Sequence, residues 1–229
     1  MIGDFYLEHK GETVIVIGNG PSLDETPLEN LASKYPTFGA NKIYDSVTHP
    51  DFIPNYWTCV DMDMLNDCLP YVLEHPEFNP VKFIPREVQL SGFNLLNVKI
   101  GQPVSVNAEE YVVLGGTVTV VNLQLAYYMG AKTVLLVGVD HNYPRRAYDG
   151  APGTKFVGDG VDTGHFKSKT GSYFSKGRVY NRPELQATAS VTYPAVRRMF
   201  ERDGRKIINL TIDTKLEAFE KQDLSKWIR

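Results

Sequence analysis

The residues with the clearest capacity for chemistry are a glycine-flanked turn, a set of polar residues at the ends of apolar runs, and one histidine in a polar loop. Gly18-Asn-Gly-Pro-Ser22 follows the β-branched run Thr13-Val-Ile-Val-Ile17. Glycines permit positive φ and close approach of a ligand, and Pro21 fixes the chain before Ser22. Backbone N–H groups of Gly18, Asn19 and Gly20, with the Ser22 hydroxyl, are therefore a candidate phosphate cradle at the start of a helix. The turn is not a complete G-x-G-x-x-G fingerprint, and it lacks the G-K-[ST] ending of a P-loop. A plain glycine turn joining strand to helix is the competing reading.

Asn41, Asp61 and Asp140 each stand just after an apolar run. In an open parallel sheet the carboxyl ends of the strands line the ligand crevice, so these three are candidate contacts to a nucleotide's ribose or base; capping of the next turn is the alternative. Asp61-Met-Asp63 also spells D-x-D, in which carboxylates share a divalent ion with a diphosphate. Acidic pairs after a strand more often cap a helix, and no metal site is assigned.

His165 lies in Asp162-Thr-Gly-His-Phe-Lys-Ser-Lys169. Imidazole titrates near neutrality, and a loop can carry it over a bound ligand as a general base; His141, next to Asp140, competes for that role. Tyr143, Tyr148, Arg145 and Arg146 crowd the same strand end. Phenols and guanidinium groups there suit a departing phosphate, with an exposed loop as the alternative.

These residues need a scaffold that delivers several strand ends to one edge. Thr13–Ile17 and Thr133–Val137 are almost wholly apolar runs typical of strands buried on both faces, and Thr37–Ala40, Tyr56–Val60, Val81–Ile84 and Lys206–Leu210 read as further strands. Helical spacing appears over Thr117–Met129, stopped by Gly130, with shorter helical stretches at Pro27–Lys34 and Glu184–Arg202, the last interrupted by Pro194. Gln89–Glu110 has no clear period and reads as loop. Residues 144–182 are rich in Gly, Lys, Asp, Ser and Tyr and read as a long lid-like loop. The expected architecture is one α/β domain over residues 1–229, a Rossmann-like, mostly parallel sheet with helices on both faces.

Composition narrows the class further. The 229 residues carry a formal net charge of −3 with no Lys/Arg run, which argues against a nucleic-acid partner. Two cysteines, Cys59 and Cys68, are too few for a disulfide framework and lack zinc spacing, so both are expected reduced, in a cytoplasm. No run of apolar residues is long enough to span a membrane. Peripheral attachment to the inner face of the membrane and a homo-oligomer both stay open.

Ile17-Gly-Asn-Gly-Pro-Ser-Leu23 resembles the opening motif of the bacterial sialyltransferases of glycosyltransferase family 42 and of the related 6-hydroxymethylpterin diphosphokinase-like proteins. Phe38-Gly-Ala-Asn41 resembles their second-strand Asn motif. Gly130-Ala-Lys-Thr-Val-Leu-Leu-Val-Gly-Val-Asp140 resembles the helix-end, strand and Asp segment, and Gly164-His165 the motif of the sialyltransferase general base. The order agrees from residue 13 to about 169. The resemblance implies a GT-A variant that needs no metal cofactor, takes a nucleotide-sugar donor with CMP favoured, and uses His165 to deprotonate an acceptor hydroxyl on a glycan or small molecule.

By the same resemblance Tyr148 steadies the departing phosphate. The second such tyrosine is expected at position 142, which is Asn142 here with Tyr143 beside it. The Arg-x-Thr-Ser-Gly segment of those enzymes reads Gly115-Gly-Thr-Val-Thr119, keeping Thr117. The implied activity is transfer of a sialic-acid-like sugar to a surface polysaccharide. The alternatives are an ATP- and magnesium-dependent diphosphokinase acting on a pterin-like alcohol, which would give Asp61 and Asp63 a task, and a nucleotide-binding module without catalysis.

Overall fold

A computed structural model describes residues 1–142, 155–157, 164–177, 179–181 and 188–228. Eight strands form one sheet in the order β12-β11-β8-β1-β2-β3-β4-β5, every neighbouring pair parallel. They are β1 (Thr13–Ile17), β2 (Thr37–Ala40), β3 (Tyr56–Thr58), β4 (Val81–Pro85), β5 (Asn94–Leu96), β8 (Thr133–Val137), β11 (Lys206–Asn209) and β12 (Glu220–Lys221). Two small pairs stand apart: β6 (Val98–Lys99) with β7 (Val112–Val113), and β9 (Lys155–Val157) antiparallel to β10 (Val179–Asn181). The helices are α1 (Leu28–Ala32), α2 (Met62–Glu74), α3 (Val118–Tyr128) and α4 (Tyr193–Arg202).

Strand alternation builds two cores. Val14 and Val16 of β1 join Phe38, Tyr56 and Phe83 beneath α3 and α4, while Ile15 and Ile17 join Trp57, Ile84 and Leu135 beneath α1 and α2. Both faces of β1 and β8 are therefore covered, which is why those runs contain almost no polar residue. The result is the Rossmann-like, doubly wound α/β architecture expected from the sequence. Because β1 pairs with β8 on one side and β2 on the other, the sheet's order reverses at β1, and a crevice opens beyond the carboxyl ends of β1 and β8.

Several local expectations are corrected. The stretch after the glycine turn is not one helix: Pro21–Glu25 is a 3-10 helix, and α1 spans five residues. Pro85 ends β4 from within, paired with Leu96, and the aperiodic 89–110 stretch contains β5 and β6, strands too short to show a period. Helix α2 begins at the Asp61 cap and contains Pro70, the residue that hides it from a periodicity argument. Pro194 does not kink a helix; it stands in the first turn of α4, where a missing N–H costs nothing, after a π turn over Thr188–Thr192.

The expected lid is structured where it is described. Besides the β9–β10 pair, residues 164–177 are docked onto the sheet's edge, with Phe166 and Tyr173 buried in the α1/α2 core. Backbone bonds run from Phe166 N to Asn19 O (3.0 Å), Val47 N to Lys167 O (2.8 Å) and Lys169 N to Asp45 O (2.7 Å). The Asp45 carboxylate accepts from Thr170 N (3.2 Å), from Thr170 Oγ1 (2.8 Å) and from Ser168 Oγ. A buried Lys42–Asp67 ion pair, N to O 2.5 Å, shares Ser175 Oγ and ties the segment to α2. No helix among the described residues is long and apolar enough to cross a membrane.

Candidate functional site

The crevice narrows to a cavity of about 100 Å³ walled by five chain segments. They are the end of β1 (Ile17–Gly20), the end of β2 (Ala40, Asn41), the first turn of α3 with its cap (Thr117–Thr119), the end of β8 (Gly138–Asn142), and the docked segment at Gly164, His165 and Tyr173. This is smaller than the roughly 300–1,000 Å³ of common small-molecule sites. Its described walls leave room for only one portion of a nucleotide-sized ligand.

Of the residues singled out from the sequence, Gly18, Asn19, Gly20, Asn41, Thr117, Asp140, His141 and His165 meet there. Asn19 is held by two acceptors: its Nδ2 donates to Ala40 O (2.9 Å) and to Tyr173 Oη (2.8 Å). That fixes the carboxamide's orientation and leaves Oδ1 without a hydrogen-bond partner. Asn41 adopts φ +49°, a left-handed conformation that asparagine tolerates; its carbonyl accepts from Trp57 Nε1 (2.7 Å), and its Oδ1 is likewise unpaired. Native proteins leave few buried polar atoms unpaired, which makes these two oxygens candidate acceptors for a ligand's donors.

Asp140 makes its bonds back to the glycine turn. Ser22 N donates to Oδ1 (3.1 Å) and Ser22 Oγ donates to Oδ2 (2.8 Å). Burial raises its carboxyl above the ordinary range, opposed by the two Ser22 bonds and by the neighbouring His165. The Ser22 hydroxyl and amide, expected at a phosphate, hold the Asp140 carboxylate in this structure, and Ser22 is not among the residues walling the cavity.

His165 is half-buried and lies parallel to the Tyr173 ring, with centroids 3.8 Å apart and 2° between planes; Phe174 meets it edge-on at 5.1 Å. His141 is also half-buried, at φ +51°, with its ring edge-on to Tyr193, and burial lowers its pKa. Two imidazoles thus reach one cavity. Thr117 caps α3 by accepting from Thr119 N (3.4 Å) and still faces the cavity.

Asp61 is not brought to the cavity. Its Oδ1 accepts from Met64 N (2.9 Å) as the N-cap of α2, and burial raises its pKa. Among the described residues no group of three or more His, Cys, Asp or Glu is placed to hold a metal. Tyr143 and Tyr148, with Arg145 and Arg146, lie outside the described residues. Sequence reasoning missed Tyr173, whose hydroxyl and ring hold Asn19 and His165 together. Its signal was the Tyr173-Phe174 pair inside an otherwise polar stretch.

Similar solved folds include a MAf glycosyltransferase from Magnetospirillum magneticum AMB-1, with a TM-score of 0.55 and 17% identity over 95% of this chain and 35% of that one. The chain therefore spans about a third of that protein's length. The sialyltransferase CstII from Campylobacter jejuni, in complex with cytidine-5'-monophosphate, aligns with a TM-score of 0.53 and 14% identity over 93% of this chain and 85% of that one. At such identities the likeness is one of fold. No curated protein matches. The profile of the family described as 6-hydroxymethylpterin diphosphokinase MptE-like matches residues 2–146, well over half of the chain. The chain belongs to the MptE-like family.

Proposed function

We propose that this protein is a glycosyltransferase that moves a sugar from a nucleotide donor to a hydroxyl acceptor. The observation that carries the reading is the convergence of His165, Asn19, Asn41 and Asp140 on one cavity at the point where the order of a parallel sheet reverses. The similarity in fold to CstII and to a MAf glycosyltransferase supports it. A CMP-linked, sialic-acid-like sugar is the favoured donor, and a surface glycan built from the cytoplasmic side is the favoured acceptor.

In this reading His165 accepts the proton of the acceptor hydroxyl as its oxygen bonds to the anomeric carbon. The bond from that carbon to the phosphate oxygen breaks, and the electron pair leaves with the nucleotide. Tyr148 and Tyr143 are assigned to that departing phosphate by resemblance to the family 42 enzymes. Asn19, Asn41 and Thr117 orient the donor.

The family match favours one second reading, a diphosphokinase that transfers pyrophosphate from ATP to a pterin-like alcohol. A thermal-shift screen against CMP, CDP, UDP, GDP and ATP, each with and without magnesium, separates the two, because a ligand bound to the native state raises apparent stability. Metal-independent stabilisation by CMP is the expected result. A shift by ATP alone, and only with magnesium, moves the assignment to the diphosphokinase; no shift with any nucleotide removes both.

A further inference from the structure

The glycines at the end of β1 are explained without a ligand. A Cβ on Gly18 would lie 2.3 Å from Gly138 O, and one on Gly20 would lie 1.9 Å from Asp140 Oδ2 and 2.8 Å from Gly138 O. Gly20 N donates to Gly138 O at 2.8 Å. The bare backbone that a phosphate would approach is thus already approached by the end of β8. The groups expected to hold an anion, the Ser22 amide and hydroxyl, hold the Asp140 carboxylate.

The polar side chains around the cavity are rich in acceptors. Asn19 Oδ1 and Asn41 Oδ1 are buried without a hydrogen-bond partner, and Asp140 keeps lone pairs beyond the two that Ser22 engages. Carboxylate and carboxamide oxygens repel a phosphate and accept from hydroxyl and amine donors.

We infer that the Gly18–Ser22 turn is the socket of the Asp140 carboxylate rather than a phosphate seat, and that the cavity it frames takes the hydroxyl- and amine-bearing nucleoside portion of the donor. Ser22 is then a positioning residue acting through Asp140. The ligand half of this inference rests on the proposed nucleotide-sugar reading; the socket half does not.

Two experiments decide the two halves. For the socket, Asp140→Ala is titrated with formate while thermal stability is followed. Formate should fill the vacated place and raise the midpoint of the variant but not of the wild type. No formate response in Asp140→Ala, or inorganic pyrophosphate moving the Ser22 amide resonance of the wild type, overturns it.

For the ligand, dissociation constants for cytidine and CMP are measured by calorimetry on wild type, Ser22→Ala, Ser22→Thr and Asp140→Asn. Ser22→Ala should weaken both ligands by one common factor of about ten, with Ser22→Thr restoring most of the loss, and Asp140→Asn should weaken both at least as much. Weakening of CMP with cytidine unaffected returns Ser22 to the phosphate and overturns the assignment. If the wild type binds neither ligand, the nucleoside assignment fails together with the proposed function, and the formate titration still decides the socket.

Discussion

The imidazole of His165 lies flat against the phenol ring of Tyr173, whose hydroxyl accepts from Asn19 Nδ2 at 2.8 Å. One buried side chain therefore sets the position of the candidate base and of the candidate donor contact. Tyr173→Phe keeps the ring and removes the hydroxyl. It should cost about 1–2 kcal/mol of stability and weaken nucleotide binding. Tyr173→Leu removes the stacking surface as well and should lower turnover further. Turnover and nucleotide affinity measured for the two variants check this, and equal turnover in Tyr173→Leu and Tyr173→Phe would remove Tyr173's role in orienting the base.

Replacing the base itself is the sharper test of chemistry. His165→Asn should lower turnover by about 10²–10⁴-fold with little change in the nucleotide dissociation constant. If turnover survives and His141→Asn abolishes it, the second imidazole of the cavity is the base.

Three titrating groups give the acid side of the stability profile a defined shape. Asp61 and Asp140 both have carboxyls raised above the ordinary value of 3.8 by burial. Their folded forms bind a proton more readily than the unfolded chain does, so each is a cost at neutral pH that is relieved as pH falls through the window above 3.8. His141, lowered from 6.5 by burial, acts in the opposite sense: its contribution is complete above that value and is lost as pH falls through it. Asp61→Asn keeps a good N-cap and should gain stability at pH 7, a gain that shrinks on acidification, whereas Asp61→Ala should lose about 1 kcal/mol of capping. Denaturant unfolding at a series of pH values measures both; an Asp61→Asn gain that does not change with pH would contradict the assignment.

The docking of the segment that carries His165 depends on a buried ion pair. Breaking it on one side, as in Lys42→Met, leaves the Asp67 carboxylate buried opposite an apolar chain and should cost about 3–5 kcal/mol. The double variant Lys42→Met/Asp67→Leu should recover most of that loss, and proteolysis within residues 164–177 should be fast in the single variant and slow in the double. A loss in the double variant equal to the sum of the losses in Lys42→Met and Asp67→Leu would show that the pair is not coupled.

Glycines should respond to alanine according to the space around them as well as their backbone angle. Gly171, at φ +87°, has open space where a Cβ would go, so Gly171→Ala pays only the left-handed penalty of about 1–2 kcal/mol. Gly18→Ala drives a methyl into Gly138 O and should cost about 3 kcal/mol or more. Thermal or denaturant unfolding of the two variants, measured side by side, tests the ranking.

The central strands and α3 were legible in the sequence because burial on both faces leaves β1 and β8 continuously apolar, and because Gly130 stops α3 cleanly. Elements whose signal is brief or masked were not legible: β5 and β6 are two or three residues long, and Pro70 interrupts the pattern of α2. At the site, the strand-end rule brought Asn41 and Asp140 to one cavity, and the glycine turn brought Asn19. The rule failed for Asp61, because a residue following a strand also precedes a helix, and capping α2 took the carboxylate. The sequence leaves Ser22 ambiguous for a related reason: a turn shaped to hold an anion does not say whether that anion arrives with a ligand or belongs to the protein's own side chain.

The contact between the ends of β1 and β8 bears on how such proteins diversify. Gly18 meets Gly138 backbone to backbone, and Gly20 leaves room for Asp140, so the two loops form a matched pair that neither can leave alone. Descendants that adopt another substrate, or lose catalysis, would be expected to inherit both together for the sake of folding. The glycine signature would then persist across enzymes of unlike chemistry as a mark of shared ancestry, and differences in reaction would be sought in the side chains around it.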